Sequence, residues 1–213
     1  MTAGLDALPL LHTRSYEVEA FARGDDAIVL VGRVRDTKPA GLMVSDDPDP
    51  LDIHHMVVTL TVSFPTLTIT DAAVEFRTHP HTTCPAIIEH YGSLVGLSIA
   101  RGFTHRVREL FGGPRGCTHT TALLQAMAPV AVQATWSMRT RSNARQTDRP
   151  RQLTDEQRAL IIQSNGNTCH VWDEDGEAVA ALHSGGDIEV PLWIERRLGD
   201  LGRDLGEWHA RRA

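Results

Sequence analysis

Alternating hydrophobic and polar positions in the first 80 residues predict two β-hairpins. Residues 15–35 alternate on either side of the turn sequence Gly24-Asp25-Asp26, and residues 58–76 do so around Ser63-Phe64-Pro65. Successive side chains of a strand point to opposite faces, so this period of two indicates strands that bury one face. Residues 36–50 are rich in Asp and Pro, which predicts a loop between the hairpins. Strands in sequence order favour an antiparallel meander.

After residue 80 the hydrophobic spacing changes to that of helices. A first helix is predicted for residues 85–94, which begin with proline, and a second for residues 98–111, which end at a Gly-Gly-Pro sequence. A third is predicted from about Thr118 to Trp136, and Pro129 is expected to kink it. Strands followed by helices indicate an α+β fold, an antiparallel meander with helices packed on one face.

The polar segment 139–150 is predicted to be an exposed linker that ends the compact core. Its arginines have no interleaved aromatic residues, which favours a solvated linker over a nucleic-acid-binding arm. We therefore divide the chain into a core of residues 11–138, this linker, and a C-terminal helix and hairpin extension of residues 151–213. Three elements are predicted in the extension: a capping box at Thr154–Gln157, a hairpin turn at 173–176 and a helix over 193–212.

Composition limits the partners of the protein. The 213 residues carry a net charge of −6, which disfavours nucleic acid because phosphate binding requires a basic surface. No run approaches the roughly 18 apolar residues of a membrane helix, so we expect no membrane partner. The acidic N-terminus lacks the pattern of a signal peptide, and three cysteines then indicate thiols or metal ligands in a cytoplasmic protein. Whether the protein forms a homo-oligomer stays open.

Two cysteines lie where helices are predicted to begin. Cys84 precedes Pro85, which places it at an N-cap, and Cys117 precedes the apolar run of the third helix. The positive end of a helix favours thiolate, which is the form that binds metal. His119 lies two residues after Cys117, so only a loosely wound first turn lets both reach one ion; in a regular helix they are alternatives. The competing interpretation of a lone cysteine is a small buried hydrophobe.

Asp52 and His54 are predicted at the start of the third strand. Residues i and i+2 of a strand share a face, so these two side chains can converge on one ion while His55 points to the opposite face. Thiolate, imidazole and carboxylate together suit zinc or iron. The sequence therefore predicts a divalent metal, zinc or iron, with candidate ligands Asp52, His54, Cys84, Cys117 and His119.

The chain resembles a bacterial family catalogued only as a domain of unknown function. The most distinctive stretch is Gly116-Cys117-Thr118-His119, and the likeness covers roughly residues 11–136. The family pattern has an acid where this chain has His55, and the resemblance itself implies no activity. The other matching stretches are His12-Thr13-Arg14, Asp36-Thr37-Lys38-Pro39, His54 through Met56, Cys84, Leu94-Val95-Gly96 and Gly112-Gly113, with a weaker echo at Cys169.

The order of elements is also similar, more distantly, to the iron–sulfur scaffold and sulfur-acceptor superfamily. Those proteins hold zinc or a cluster with a Cys-x-Asp before the first strand, a mid-chain Cys and a late His-Cys pair. The resemblance implies that Asp52-Ile53-His54, Cys84 and Cys117-Thr118-His119 take these three places. Asp52 stands where the scaffold pattern has its first cysteine, which favours a mononuclear metal over a cluster.

These observations predict a metal-dependent enzyme that acts on a small organic substrate by hydrolytic or lyase chemistry. A metal with three protein ligands keeps a position open for catalysis. His55 is then a candidate general base or outer-sphere group, and Arg14 or Arg77 could hold a substrate carboxylate by two hydrogen bonds. For each arginine the competing interpretation is a surface ion pair. The alternative function is a metal or iron–sulfur scaffold, or a sulfur acceptor, without catalysis of its own.

Overall fold

The computed structural model describes residue 4 and residues 7–100, 102–143 and 153–206. The chain divides into two compact units, Met1–Arg139 and Thr140–Ala213. Most of the predicted linker, residues 144–150, lies outside the described residues. In the described part of the chain, every helix is too short or too polar to span a membrane.

The first unit is built on a four-stranded antiparallel sheet. Strands β1 (Thr13–Arg23), β2 (Ala27–Lys38), β3 (Leu51–Ser63) and β4 (Ile69–Thr78) lie in the order β1-β2-β3-β4. Each strand pairs antiparallel with the next, so the predicted meander is confirmed. The strands extend beyond the predicted hairpins at both ends. In particular β2 continues through Lys38, into the segment that the sequence assigned to a loop.

Helices cover one face of this sheet, as predicted. Helix α1 spans Phe103–Phe111 and helix α2 spans Thr118–Asn143. Their apolar side chains join alternate residues of β2 and β3 in one core. Gly32 of β2 permits the close approach of α2, because a Cβ there would lie 2.7 Å from Sδ of Met127.

The helical segments begin and end at other residues than predicted, and one of them is a 3-10 helix. Residues Cys84–Leu94 form a 3-10 helix whose N-cap is Thr83, so Cys84 is its first residue and not its cap. Helix α1 begins at Phe103, after Gly102 with a φ of 83°, and not at Ser98. Helix α2 runs past Trp136 with Pro129 inside it. Met138 of α2 is buried in the core, so tertiary packing supports the helix beyond the predicted end at Trp136.

The second unit contains helices α3 (Asp155–Asn165), α4 (Glu177–His183) and α5 (Leu192–Asp200) and a short 3-10 turn at His170–Trp172. The predicted capping box is confirmed, since Thr154 and Gln157 exchange side-chain and backbone hydrogen bonds. The predicted hairpin at 173–176 is wrong, because this turn leads into α4. The expected helix over 193–212 is observed to Asp200, and its residues 207–212 lie outside the described residues.

Candidate metal centre

A buried carboxylate, Asp36, is the centre of the site. The core face of β2 presents residues 28, 30, 32 and 34 in strict alternation, and Asp36 is the next residue of that row. It is 1% exposed. Burying a charge without partners is costly, so a carboxylate in this row requires strong hydrogen bonds or ion pairs.

Arg14 supplies the strongest of these partners. It lies opposite Asp36 on β1. Its Nε donates a hydrogen bond of 2.6 Å to Oδ1 of Asp36, and its Nη2 donates one of 2.6 Å to Oδ2. Nε2 of His12, the residue just before this strand, lies 3.5 Å from Oδ1. The Arg14 hydrogen bonds hold the pKa of Asp36 at about 2, below its ordinary 3.8, although burial acts in the opposite direction. Asp36 is therefore ionised at neutral pH.

Two histidines contact the same carboxylate at Oδ2, the oxygen that also accepts a hydrogen bond from Nη2 of Arg14. His54 lies opposite Asp36 on β3, with Nδ1 3.2 Å from Oδ2. His119, in the first turn of α2, places Nε2 3.1 Å from Oδ2. The two imidazole rings are stacked, with their centroids 3.8 Å apart. Burial has the largest effect on the pKa of His119 and lowers it below 6.5, and the nearby His54 and Arg14 lower it further. The lowered pKa favours the neutral imidazole.

Asp36, His54 and His119 form a candidate metal-binding group. Each offers one ligand atom, and these atoms all lie within 4.8 Å of one another. The group combines an ionised carboxylate with imidazole, and an imidazole must be neutral to coordinate a metal. Although Arg14 occupies one lone pair on each oxygen, a carboxylate has about four acceptor positions, so Oδ2 can still serve as a ligand.

Cys117 lies beside this group at the start of α2. Its backbone N–H donates a 2.8 Å hydrogen bond to the hydroxyl of buried Tyr91, and its carbonyl accepts from the N–H of Thr121 in the first helical turn. Its Sγ lies 3.6 Å from Nδ1 of His119. Cys117 and His119 thus come together at the start of α2, where Cys117 directly precedes the first helical residue, Thr118. The thiol faces Nδ1 of His119, whereas Nε2 of the same ring faces Asp36.

A cavity of about 440 Å³ opens next to the group. Its walls combine apolar side chains with the two cysteines predicted as ligands. The lining residues are His54, Met56, Phe76, Pro80, His81, Thr83, Cys84, Ile87, Pro114, Gly116, Cys117, Thr118 and His119. Cys84 and Cys117 therefore face the same cavity, but neither belongs to the three-residue group.

Asp52 does not join His54, and a β-bulge explains why. Asp36 pairs with His54 while Thr37 pairs with Asp52, so Ile53 is an extra residue without a partner of its own. The bulge breaks the rule that residues i and i+2 share a face. Asp52 instead accepts 2.8 Å hydrogen bonds from Arg35. The expectation that Asp52 and His54 converge on one ion is wrong.

The other predicted polar residues are also separate from the group. His55 pairs with Arg35 across the sheet, and its pKa is lowered first by burial and then by Arg77 and Arg35. Arg77 forms a 3.1 Å ion pair with exposed Glu75. Arg14 is the exception: it is at the site and donates two hydrogen bonds to Asp36. His55 and Arg77 therefore lie with Asp52 and Arg35, away from the cavity.

Asp36 is the residue that the sequence reasoning missed. The segment from 36 to 50 is rich in Asp and Pro, a composition that predicts a loop at this position. The usable signal was the alternation itself, because residue 36 continues the buried positions 28, 30, 32 and 34.

The fold and site thus define an α+β protein with a candidate metal group at one end of its sheet. The chain belongs to the family described as Protein of unknown function (DUF2889), whose family model matches residues 12–133. The matched region contains Arg14, Asp36, His54, Cys117 and His119. No curated protein and no solved structure shows significant similarity to the chain. The likeness to iron–sulfur scaffolds is not confirmed, and Asp52 does not take the ligand place that it implies.

Proposed function

We propose that this protein is a metal-dependent enzyme, with zinc or iron held by Asp36, His54 and His119, that acts on a small organic molecule. The observation that carries the proposal is the convergence of three ligand atoms, from β2, β3 and α2, within 4.8 Å of one another. Two histidines and one carboxylate are a recurrent ligand set for catalytic zinc and for non-haem iron. Compared with the ligands predicted from the sequence, the proposed set has Asp36 in place of Asp52 and omits Cys84 and Cys117.

The cavity supports catalysis over a purely structural role. A structural zinc site is closed by four protein ligands, whereas a catalytic site keeps a position open beside a substrate pocket. Here two of the three ligands, His54 and His119, line a cavity of about 440 Å³, within the range of small-molecule pockets. A metal in that position lowers the pKa of bound water and polarises carbonyl groups, which is the basis of hydrolytic and lyase chemistry.

The surrounding residues have defined tasks in this proposal. Arg14 keeps Asp36 ionised and fixes its orientation through two hydrogen bonds, as outer-sphere partners of metal ligands do. Burial lowers the pKa of His119, which favours the neutral imidazole that a metal requires. Cys84 and Cys117 line the cavity in which the substrate would bind.

The second candidate is a metal scaffold or sulfur-acceptor function, and one observation favours it. Cys84 and Cys117 line the same cavity as His54 and His119, so a thiolate could complete a closed site. The two functions differ in the first coordination shell of the metal. An enzyme with the proposed set has only nitrogen and oxygen ligands, whereas a scaffold has at least one sulfur.

X-ray absorption at the metal edge of protein purified without chelator separates the two. Nitrogen and oxygen neighbours at about 2.0–2.2 Å, unchanged in Cys117→Ser and Cys84→Ser, support the enzyme. A neighbour at about 2.3 Å that disappears in either serine variant identifies a sulfur ligand and overturns the proposed ligand set. Protein that holds no zinc or iron under these conditions overturns both candidates.

A further inference from the structure

The charge of the metal group is compensated before a metal binds. Asp36 is the single anionic member of the group, and Arg14 donates two hydrogen bonds of 2.6 Å to it. The remaining ligands, His54 and His119, coordinate as neutral imidazoles. A dication bound here would therefore keep close to its full charge of two, because the one carboxylate that faces it is already paired.

The cavity does not neutralise that charge. Among the described residues that line it there is no Asp or Glu, and also no Lys or Arg. Met56, Phe76 and Ile87 provide apolar wall, and cysteine, threonine and histidine side chains provide the polar positions. Next to apolar side chains an uncompensated charge attracts an opposite charge more strongly than it does in bulk water. The ligand should therefore carry one compact anionic group and an apolar body.

We propose that the cavity binds a small organic monocarboxylate, with the carboxylate on the metal and the apolar body against Met56, Phe76 and Ile87. This inference rests on the proposed metal site. It gives Arg14 a role different from the one that the sequence suggested. Arg14 does not hold the substrate carboxylate. It cancels the charge of Asp36, so that the metal keeps the positive charge that binds the substrate carboxylate.

Isothermal titration of zinc-loaded protein with three probes tests the inference. Benzoate has both the charge and the apolar ring, acetate has only the charge, and benzamide has the ring without the charge. We expect benzoate to bind at least about tenfold more tightly than acetate, because ring burial adds apolar contact. We expect benzamide to bind at least about tenfold more weakly than benzoate, because it lacks the charge.

Two variants locate the two parts of the recognition. Ile87→Ala should weaken benzoate severalfold and leave acetate unchanged, since only benzoate reaches the apolar wall. Arg14→Gln leaves the Asp36 charge uncompensated and should weaken both carboxylates about tenfold, whereas Arg14→Lys, which keeps the charge, should weaken them less. If Arg14→Gln does not fold, the comparison of benzoate with benzamide on the wild-type protein still decides the charge argument.

The outcomes separate this inference from the metal proposal. Failure to load either zinc or iron overturns both. Zinc loading with equal affinity for benzoate and benzamide, or with no binding of either, leaves the metal site standing and overturns the carboxylate inference. Inorganic phosphate that binds more tightly than benzoate would show that charge alone governs the cavity, and it would also overturn the assignment to an organic carboxylate.

Discussion

Replacing Asp36 with Asn keeps the shape of the side chain and removes its charge. The variant loses the charged partner of Arg14 and places a neutral amide in a position that is 1% exposed. The pKa of Asp36 falls from 3.8 to about 2 in the folded protein. At about 1.36 kcal/mol per pH unit, the fold favours the ionised carboxyl over a neutral one by about 2 kcal/mol.

The expected loss of stability is therefore about 2 kcal/mol for metal-free protein at neutral pH. This is less than the roughly 3–5 kcal/mol of a fully buried pair that loses one partner. The Arg14 side chain is 37% exposed, so water can solvate the guanidinium that the substitution leaves behind. The stabilisation by ionised Asp36 is present above pH 3.8 and disappears as the pH falls towards about 2.

Hydrogen exchange of peptides from β2 and β3 measures this loss within the intact chain. Exchange should be about thirtyfold faster in Asp36→Asn than in wild type, the equivalent of about 2 kcal/mol. Asp71→Asn, which removes an exposed carboxylate from β4 of the same sheet, is the matched control and should leave protection unchanged. Equal protection in wild type and Asp36→Asn would refute the argument that the Arg14 pair stabilises the fold.

Three further predictions concern the surroundings of the group. Gly32→Ala should cost about 1–2 kcal/mol by the same exchange measurement, because its Cβ would approach Met127 Sδ to 2.7 Å, although that flexible side chain can partly move away. Tyr91→Phe should cost about 1–2 kcal/mol in chemical denaturation, because the N–H of Cys117 loses its hydrogen-bond acceptor. The free energy of unfolding of metal-free protein should fall as the pH decreases through 6.5. The reason is that His119 binds a proton more readily in the unfolded state than in the folded state. The loss of unfolding free energy over this pH range should be smaller in His119→Gln.

The strands and their order could be predicted from the sequence because alternation is a local signal. Residues 28–34 alternate between the core and the opposite face, and turn residues separate the strands. The same reasoning failed for Asp36, where a charged residue continues an apolar row. Composition favoured a loop there, but the ion pair with Arg14 on a neighbouring strand makes the buried strand position favourable. The alternation of apolar and polar residues along one strand contains no information about a partner on the neighbouring strand.

The candidate site was predicted in part. His54 and His119 belong to the metal group, and Cys84 and Cys117 line its cavity. Asp52 was misplaced because the extra residue Ile53 shifts the register of β3 against β2, and nothing in the alternation marks that bulge. A one-residue shift exchanges the two faces of a strand. Residues of β3 after the bulge therefore point to the faces that the alternation predicts, whereas Asp52, before the bulge, does not share the face of His54.

The most direct test of the metal centre is the metal content of the protein purified without chelator or metal-affinity steps. Elemental analysis should find about one zinc or iron per chain in wild type. His54→Ala and His119→Ala should lose most of it, because a lost ligand removes a bond that outer groups do not replace. His55→Ala, the neighbouring imidazole on the other face, should retain it. Equal metal content in His54→Ala and His55→Ala, or a wild-type protein that holds neither metal, would contradict the assignment of Asp36, His54 and His119 as a metal centre.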